Sequence, residues 1–180
     1  MVLRKINAGL SLITTVLLMG HTTVLSVWML SRCSIEKHAN APAYELTGLM
    51  ILHAVISVLL MVRTYRGVGK KTSKGYPQLN PATIVQRVTS VLMLLLIGVH
   101  LTGAANHYQP KMLYAVMYPL FFAAALAHVS VSTSKALITL GIGNAKALKI
   151  VDVVVRILCI AAFVASVIGF YLCLFMGVAK

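Results

Sequence analysis

Acid is what this chain most conspicuously lacks: among 180 residues there are three carboxylates, Glu36, Glu45 and Asp152. Carboxylate-based metal chemistry, such as a di-iron site built from paired glutamates, therefore has almost no ligands to draw on. Cysteine is equally scarce. Cys33, Cys159 and Cys173 have spacings that make no metal motif and read as packing thiols. Charged residues of both signs make up only 11% of the chain. Catalytic nucleophile motifs and glycine-rich phosphate loops are missing as well, and little sequence is left for a separate soluble domain.

What is present is apolar. Hydrophobic residues are 59% of the sequence and mean hydropathy is +0.91. Five stretches are long enough to cross the hydrocarbon core, which takes about 20 helical residues. They are Ile6–Leu30, Tyr44–Val62, Ile84–Ala104, Met112–Val131 and Val151–Val178. The prediction is an all-α membrane protein with five transmembrane helices, forming one integral membrane domain over residues 1–180. Pro119 interrupts the fourth stretch, but neighbouring helices can re-satisfy the carbonyl it frees. Arg4 and Lys5 before the first apolar run superficially suggest a signal peptide. The run is about twice the usual length for that and no small-residue cleavage site follows, so Met1–Leu30 is expected in the mature protein.

The net charge of +13 is distributed by side rather than gathered into a nucleic-acid-binding patch. With the N-terminus inside, twelve of the 16 Lys and Arg fall on the inner side and four, Arg32, Lys37, Lys111 and Lys180, on the outer. Such an excess places the N-terminus in the cytoplasm and the C-terminus outside, in a multi-pass protein of the cell inner (cytoplasmic) membrane. Lys70, Lys71 and Lys74, in the Gly- and Pro-broken loop Arg63–Thr83, would face anionic lipid or soluble partners.

Against this background four histidines stand out. His21, His53, His100 and His128 each sit alone in a different one of the first four apolar segments. An ionisable side chain at membrane depth is costly and marks a functional site. With about 1.5 Å of rise per residue, His21 and His100 lie roughly 22 and 24 Å from the inner ends of their segments, and His53 and His128 roughly 15 and 10 Å. The four sort into an outer pair, His21 with His100, and an inner pair, His53 with His128. In an antiparallel up-down bundle the first helix faces the third diagonally and the second faces the fourth. Two haem b groups stacked across the membrane, each between two axial imidazoles, need that arrangement. Gly20, Gly98, Gly103 and Ala124 would give the macrocycles room, and Ser57 could orient His53. The competing explanation is four helix-bridging histidines held by hydrogen bonds.

Local motifs give the pattern a family. Gln86-Arg87-Val88-Thr89-Ser90, leading to His100, resembles the Gln-Arg-x-Thr-Gly start of the third helix in the dihaem cytochrome b anchors of succinate:quinone oxidoreductases and quinol:fumarate reductases. His128-Val-Ser-Val-Ser-Thr-Ser-Lys135 resembles that family's His-x-x-x-Gly-x-Arg segment, with Ser132 at the glycine and Ser134 at the arginine, and the following aspartate is missing. The resemblance implies five helices with haem ligands on the first four. It also implies a flavoprotein and an iron–sulfur subunit docked on the cytoplasmic face, and electron transfer to or from a membrane quinone, expected to be menaquinone. The dicarboxylate would be handled by the partners. Arg63, Arg66 and Arg87, at the cytoplasmic ends of the second and third helices, are candidates for the inner haem's propionates, because the guanidinium fork suits carboxylates. His107, Glu45 and Tyr108 are candidates for an outer quinone site, with the inner surface near Asp152 as the competing location. Two other classes stay open: a cytochrome b561-like electron carrier, and a small transporter or proton channel that uses histidines as relays.

Overall fold

The computed structural model describes residues 2–30, 41–68, 81–105 and 111–176, with side chains from Glu45 to Arg63 in the second helix and from Pro81 to Thr102 in the third. These residues form five helices: α1 (Val2–Leu30), α2 (Ala41–Val68), α3 (Pro81–Ala105), α4 (Lys111–Leu140) and α5 (Ala145–Met176). All five are long and apolar enough to cross a membrane.

The helices outrun the apolar windows that locate them. α2 continues to Val68 rather than stopping at Val62, and α4 to Leu140 rather than Val131. Hydropathy marks where a helix would leave lipid, but the backbone ladder continues until something breaks it. In α4 the Ser and Thr run after His128 stays helical because its hydroxyls bond back to the preceding turn, Ser132 to the His128 carbonyl (2.7 Å) and Thr133 to that of Val129 (2.8 Å). The break comes at Gly141, at φ 77°. There Gly141 N–H reaches the Ile138 carbonyl and Ile142 N–H that of Leu137, at 3.1 and 3.0 Å, a Schellman closure that needs a left-handed residue. Asn144 then starts α5, its side-chain oxygen accepting from the Ala147 N–H at 2.9 Å.

Pro119 does not break α4. It removes the N–H that would bond the carbonyl of Ala115, four residues back. The hydroxyl of Tyr171 on α5 donates to that carbonyl instead, at 2.7 Å. A defect in one helix is thereby closed by its neighbour.

Packing centres on α4, which lies against α1, α3 and α5; α1 also packs on α2 and α5. Among the described residues α2 packs closely only on α1, and α3 only on α4. The buried share of each apolar window follows, 44% for α4 against 6% for α2. One core cluster joins Met29, Leu96, Tyr114, Tyr118, Phe121 and Phe170. The other joins Leu18, Leu46, Met93, Ala125, Val129 and Cys159. α1 and α5 approach closely at Gly169, where a Cβ would come within 3.0 Å of Met29 Cβ. Hydroxyls inside this packing are paired: Ser26 donates to the Thr22 carbonyl (2.7 Å) and lies 2.9 Å from Ser166 Oγ. Outward-facing positions such as Val16, Leu95, Val116 and Ile157 are exposed and apolar, a surface suited to lipid.

Candidate functional site

Each of the four histidines is half-buried on its own helix: His21 on α1, His53 on α2, His100 on α3 and His128 on α4. His21 and His100 line one cavity between the helices, about 670 Å³ of atom-free space including its open mouth. The wall is aliphatic and aromatic, with hydroxyls from Thr22, Thr47 and Ser166, and every helix contributes to it. α1 and α3 do not pack closely on each other, so the cavity stands between two helices held apart. The His100 ring stacks on Phe121 (centroids 5.1 Å apart, 20° between planes) and touches Tyr118 (5.2 Å). Its Nδ1 is buried with no hydrogen-bond partner.

His53 and His128 form the second couple. They are close enough for the charge of one to act on the other, as are His21 and His100. His53 meets the backbone of Asn7 on α1, and its Nδ1 is buried without a hydrogen-bond partner. Ser57, expected to orient His53, instead pairs with the Asn7 side chain at 3.1 Å. A hydroxyl one turn away on the same helix is better placed to reach the adjacent α1 than the ring beside it.

His128 is held by three atoms of α3. Its Nδ1 lies 3.2 Å from the Gln86 carbonyl, 3.1 Å from Ser90 Oγ and 3.3 Å from Thr89 Oγ1. Both hydroxyls already give their protons to backbone carbonyls, Ser90 to Gln86 (2.6 Å) and Thr89 to Val85 (2.7 Å). Toward the imidazole they offer only lone pairs, so Nδ1 must be the donor. The neutral ring then keeps its lone pair on Nε2, the tautomer that a metal ligand requires.

The two couples sit at separate levels. On α1, the Asn7 backbone that His53 meets is fourteen residues before His21, roughly 21 Å of rise. On α4, His128 is seven residues past Phe121, on which His100 stacks, roughly 10 Å.

The donor set fits haem: His21 and His100 share a predominantly apolar cavity, and the Nδ1 atoms of His53 and His100 are buried without partners. A zinc or di-iron centre has no ligand set here, since no three His, Cys, Asp or Glu side chains converge among the described residues. The small residues expected to make room divide. Ala124 is buried in the second core cluster, whereas Gly20 and Gly98 are exposed with open space beside them. The Gly103 side of α3 lies outside the described side chains.

Of the remaining candidates, Arg63 is exposed, and Arg87 is half-buried with its charge acting on Lys135 of α4. The side chain of Arg66 lies outside the described residues, as do His107 and Tyr108. Glu45 is exposed beside Leu46 and Thr47, which line the cavity. Asp152 accepts from Ser134 on α4 and pairs with Arg156 at 3.9 Å. Sequence reasoning missed the grip of Thr89 and Ser90 on His128, although both belong to the motif it singled out. It also missed the inward turn of Lys135, for which no sequence signal exists. Compared with known proteins, the chain matches no family model, and neither a curated protein nor a solved structure is similar to it.

Proposed function

We propose that this protein is a dihaem cytochrome b, the membrane anchor of a succinate:quinone oxidoreductase or quinol:fumarate reductase. In this reading α1–α4 form an antiparallel bundle around two haem b groups. His21 and His100 are the axial ligands of one and His53 and His128 those of the other. The observation that carries the proposal is the cavity shared by His21 and His100, brought together from helices that do not themselves pack closely. The Gln86–Ser90 motif supports it independently, because its residues fix His128 in the ligating tautomer.

Bound haem iron would supply one-electron transfer between its ferrous and ferric states. The chain's own residues do the rest. Gln86, Thr89 and Ser90 orient His128, Phe121 and Tyr118 pack against the His100 ring, and the aliphatic wall keeps water out. With the basic ends of α2 and α3 at the cytoplasmic face, an iron–sulfur subunit and its flavoprotein would dock there and exchange electrons with membrane quinone through the two haems. Glu45, with His107 and Tyr108, remains the proposed quinone site at the other face.

A reduced-minus-oxidised spectrum with a haem-to-protein ratio tests this reading. Two b-type haems per chain are expected, and His53→Ala or His128→Ala should remove one of them while largely sparing the other. A single haem per chain, or equal loss of both from every variant, would refute the two-level assignment. Co-purification with flavin and iron–sulfur subunits is the expected result for an anchor; a haem protein that purifies without them would be an independent electron carrier.

A further inference from the structure

Hydrogen-bond direction limits what the cavity between His21 and His100 can recognise. Its other polar wall residues are Thr22 of α1, Thr47 of α2 and Ser166 of α5. Each hydroxyl has one proton to donate and two lone pairs to accept with. Thr22 Oγ1 donates its proton to the Leu18 carbonyl at 2.7 Å. Ser26 Oγ donates to the Thr22 carbonyl, also at 2.7 Å, so at its 2.9 Å contact with Ser166 Oγ the donor must be Ser166. Thr47 has a partner of its own. The protons of Thr22 and Ser166 are therefore committed within the protein, and any hydrogen bond either makes to a ligand is one it accepts. Thr22 is 6% exposed and Ser166 1%, so bulk water does not stand in for a ligand there. Among the described residues the wall carries no Lys, Arg, Asn or Gln that could supply a donor instead.

We infer that Thr22 and Ser166 make the α1–α5 side of this cavity an acceptor-only wall, which selects a ligand group that carries positive charge or donates hydrogen bonds and turns anionic groups away. A buried anion needs N–H or O–H donors around it, and these two hydroxyls have none to give. A positive centre or an O–H donor meets lone pairs there instead. The inference does not depend on the two-haem reading but bears on it. Ferric iron carries more positive charge than ferrous, so the wall favours the oxidised state of a haem held by His21 and His100.

The experiment compares wild type, Ser166→Ala, Thr22→Val and Ser26→Ala as full chains in phosphatidylcholine nanodiscs. Chains produced without haem are titrated by fluorine NMR with para-fluorophenol, a donor, para-fluoroanisole, which only accepts, and para-fluorobenzoate, an anion. Binding is counted beyond the partitioning of each probe into protein-free nanodiscs. Wild type is expected to hold fluorophenol several-fold more tightly than fluoroanisole and to take up no fluorobenzoate. Ser166→Ala and Thr22→Val each cut the fluorophenol advantage several-fold. Ser26→Ala breaks the same bridge between α1 and α5 but leaves both acceptors, and it should keep fluorophenol bound. Equal binding of fluorophenol and fluoroanisole by wild type overturns the inference. So does a loss in Ser26→Ala as large as in Ser166→Ala, which would make the hydroxyls a structural bridge alone. In haem-loaded chains Ser166→Ala and Thr22→Val raise the midpoint potential of the His21/His100 haem and leave the other unchanged; a fall or no change overturns the inference. A chain that takes up no haem refutes the two-haem reading alone, and the probe titration, which needs no haem, decides this one.

Discussion

Replacing Tyr171 by Phe removes one oxygen atom and isolates a single question: what the cross-helix bond to Ala115 is worth. Pro119 has no N–H, so the Ala115 carbonyl has lost its helical partner, and Ala115 is 8% exposed, beyond the reach of bulk water. The Tyr171 hydroxyl at 2.7 Å supplies the replacement. Leaving a buried acceptor unpaired costs about 1–3 kcal/mol in water-soluble proteins. Interhelical bonds inside membranes average nearer 0.6, with a maximum of about 1.7 kcal/mol. Because no backbone alternative exists here, Tyr171→Phe is expected toward the upper part of the membrane range, about 1–1.5 kcal/mol. In a Pro119→Ala background the helical N–H returns and the same substitution should cost less than about 0.5 kcal/mol, giving a coupling energy near 1 kcal/mol. Unfolding in mixed micelles or by steric trapping in bicelles measures all four corners of the cycle. An isotope-edited infrared band from the Ala115 carbonyl should move to higher frequency in Tyr171→Phe alone. Equal costs with Pro119 present and in the Pro119→Ala background would show that the bond does not serve as the proline's replacement.

Two further perturbations test the packing and the imidazole grip. Gly169→Leu should cost about 1–3 kcal/mol by forcing α5 away from Met29, a close approach that leaves no room for a side chain; wild-type stability in the same micelle assay would contradict the 3.0 Å approach. On the proposed two-haem reading, the double substitution Thr89→Val, Ser90→Ala should weaken haem retention at His128 by about 10–100-fold and spare that at His21 and His100, read by haem loss to apomyoglobin; equal loss from both levels would remove α3 from the role assigned to it.

All five helices are legible from hydropathy alone because lipid-facing and core-facing positions are both apolar. For the same reason hydropathy cannot say which face of a helix is which. Gly20 and Gly98 lie within two residues of a candidate ligand, and sequence alone does not say which face of the helix either occupies. Hydropathy misplaces the helix ends for a related reason, since Ser132–Lys135 reads as polar while the Ser132 and Thr133 hydroxyls are satisfied within the helix. The placement of His21 and His100 on one cavity is legible, because depth and alternation constrain it strongly. The partners of His128 are not, because a backbone carbonyl such as that of Gln86 leaves no mark on a sequence. Pro119 announces that a carbonyl needs a donor, but only the packing of α5 on α4 identifies Tyr171 as that donor.

The dependence of α3 on α4 sets an order of assembly. A nascent chain delivers helices from the N-terminus onward, and until α4 emerges the one closely packed pair available to it, among the described residues, is α1 with α2. When α3 enters the bilayer, the helix it packs on closely is still to come. His128 arrives on that partner. The fourth imidazole and the helix on which α3 packs are therefore delivered in one step, and a chain truncated at residue 105 would lack both.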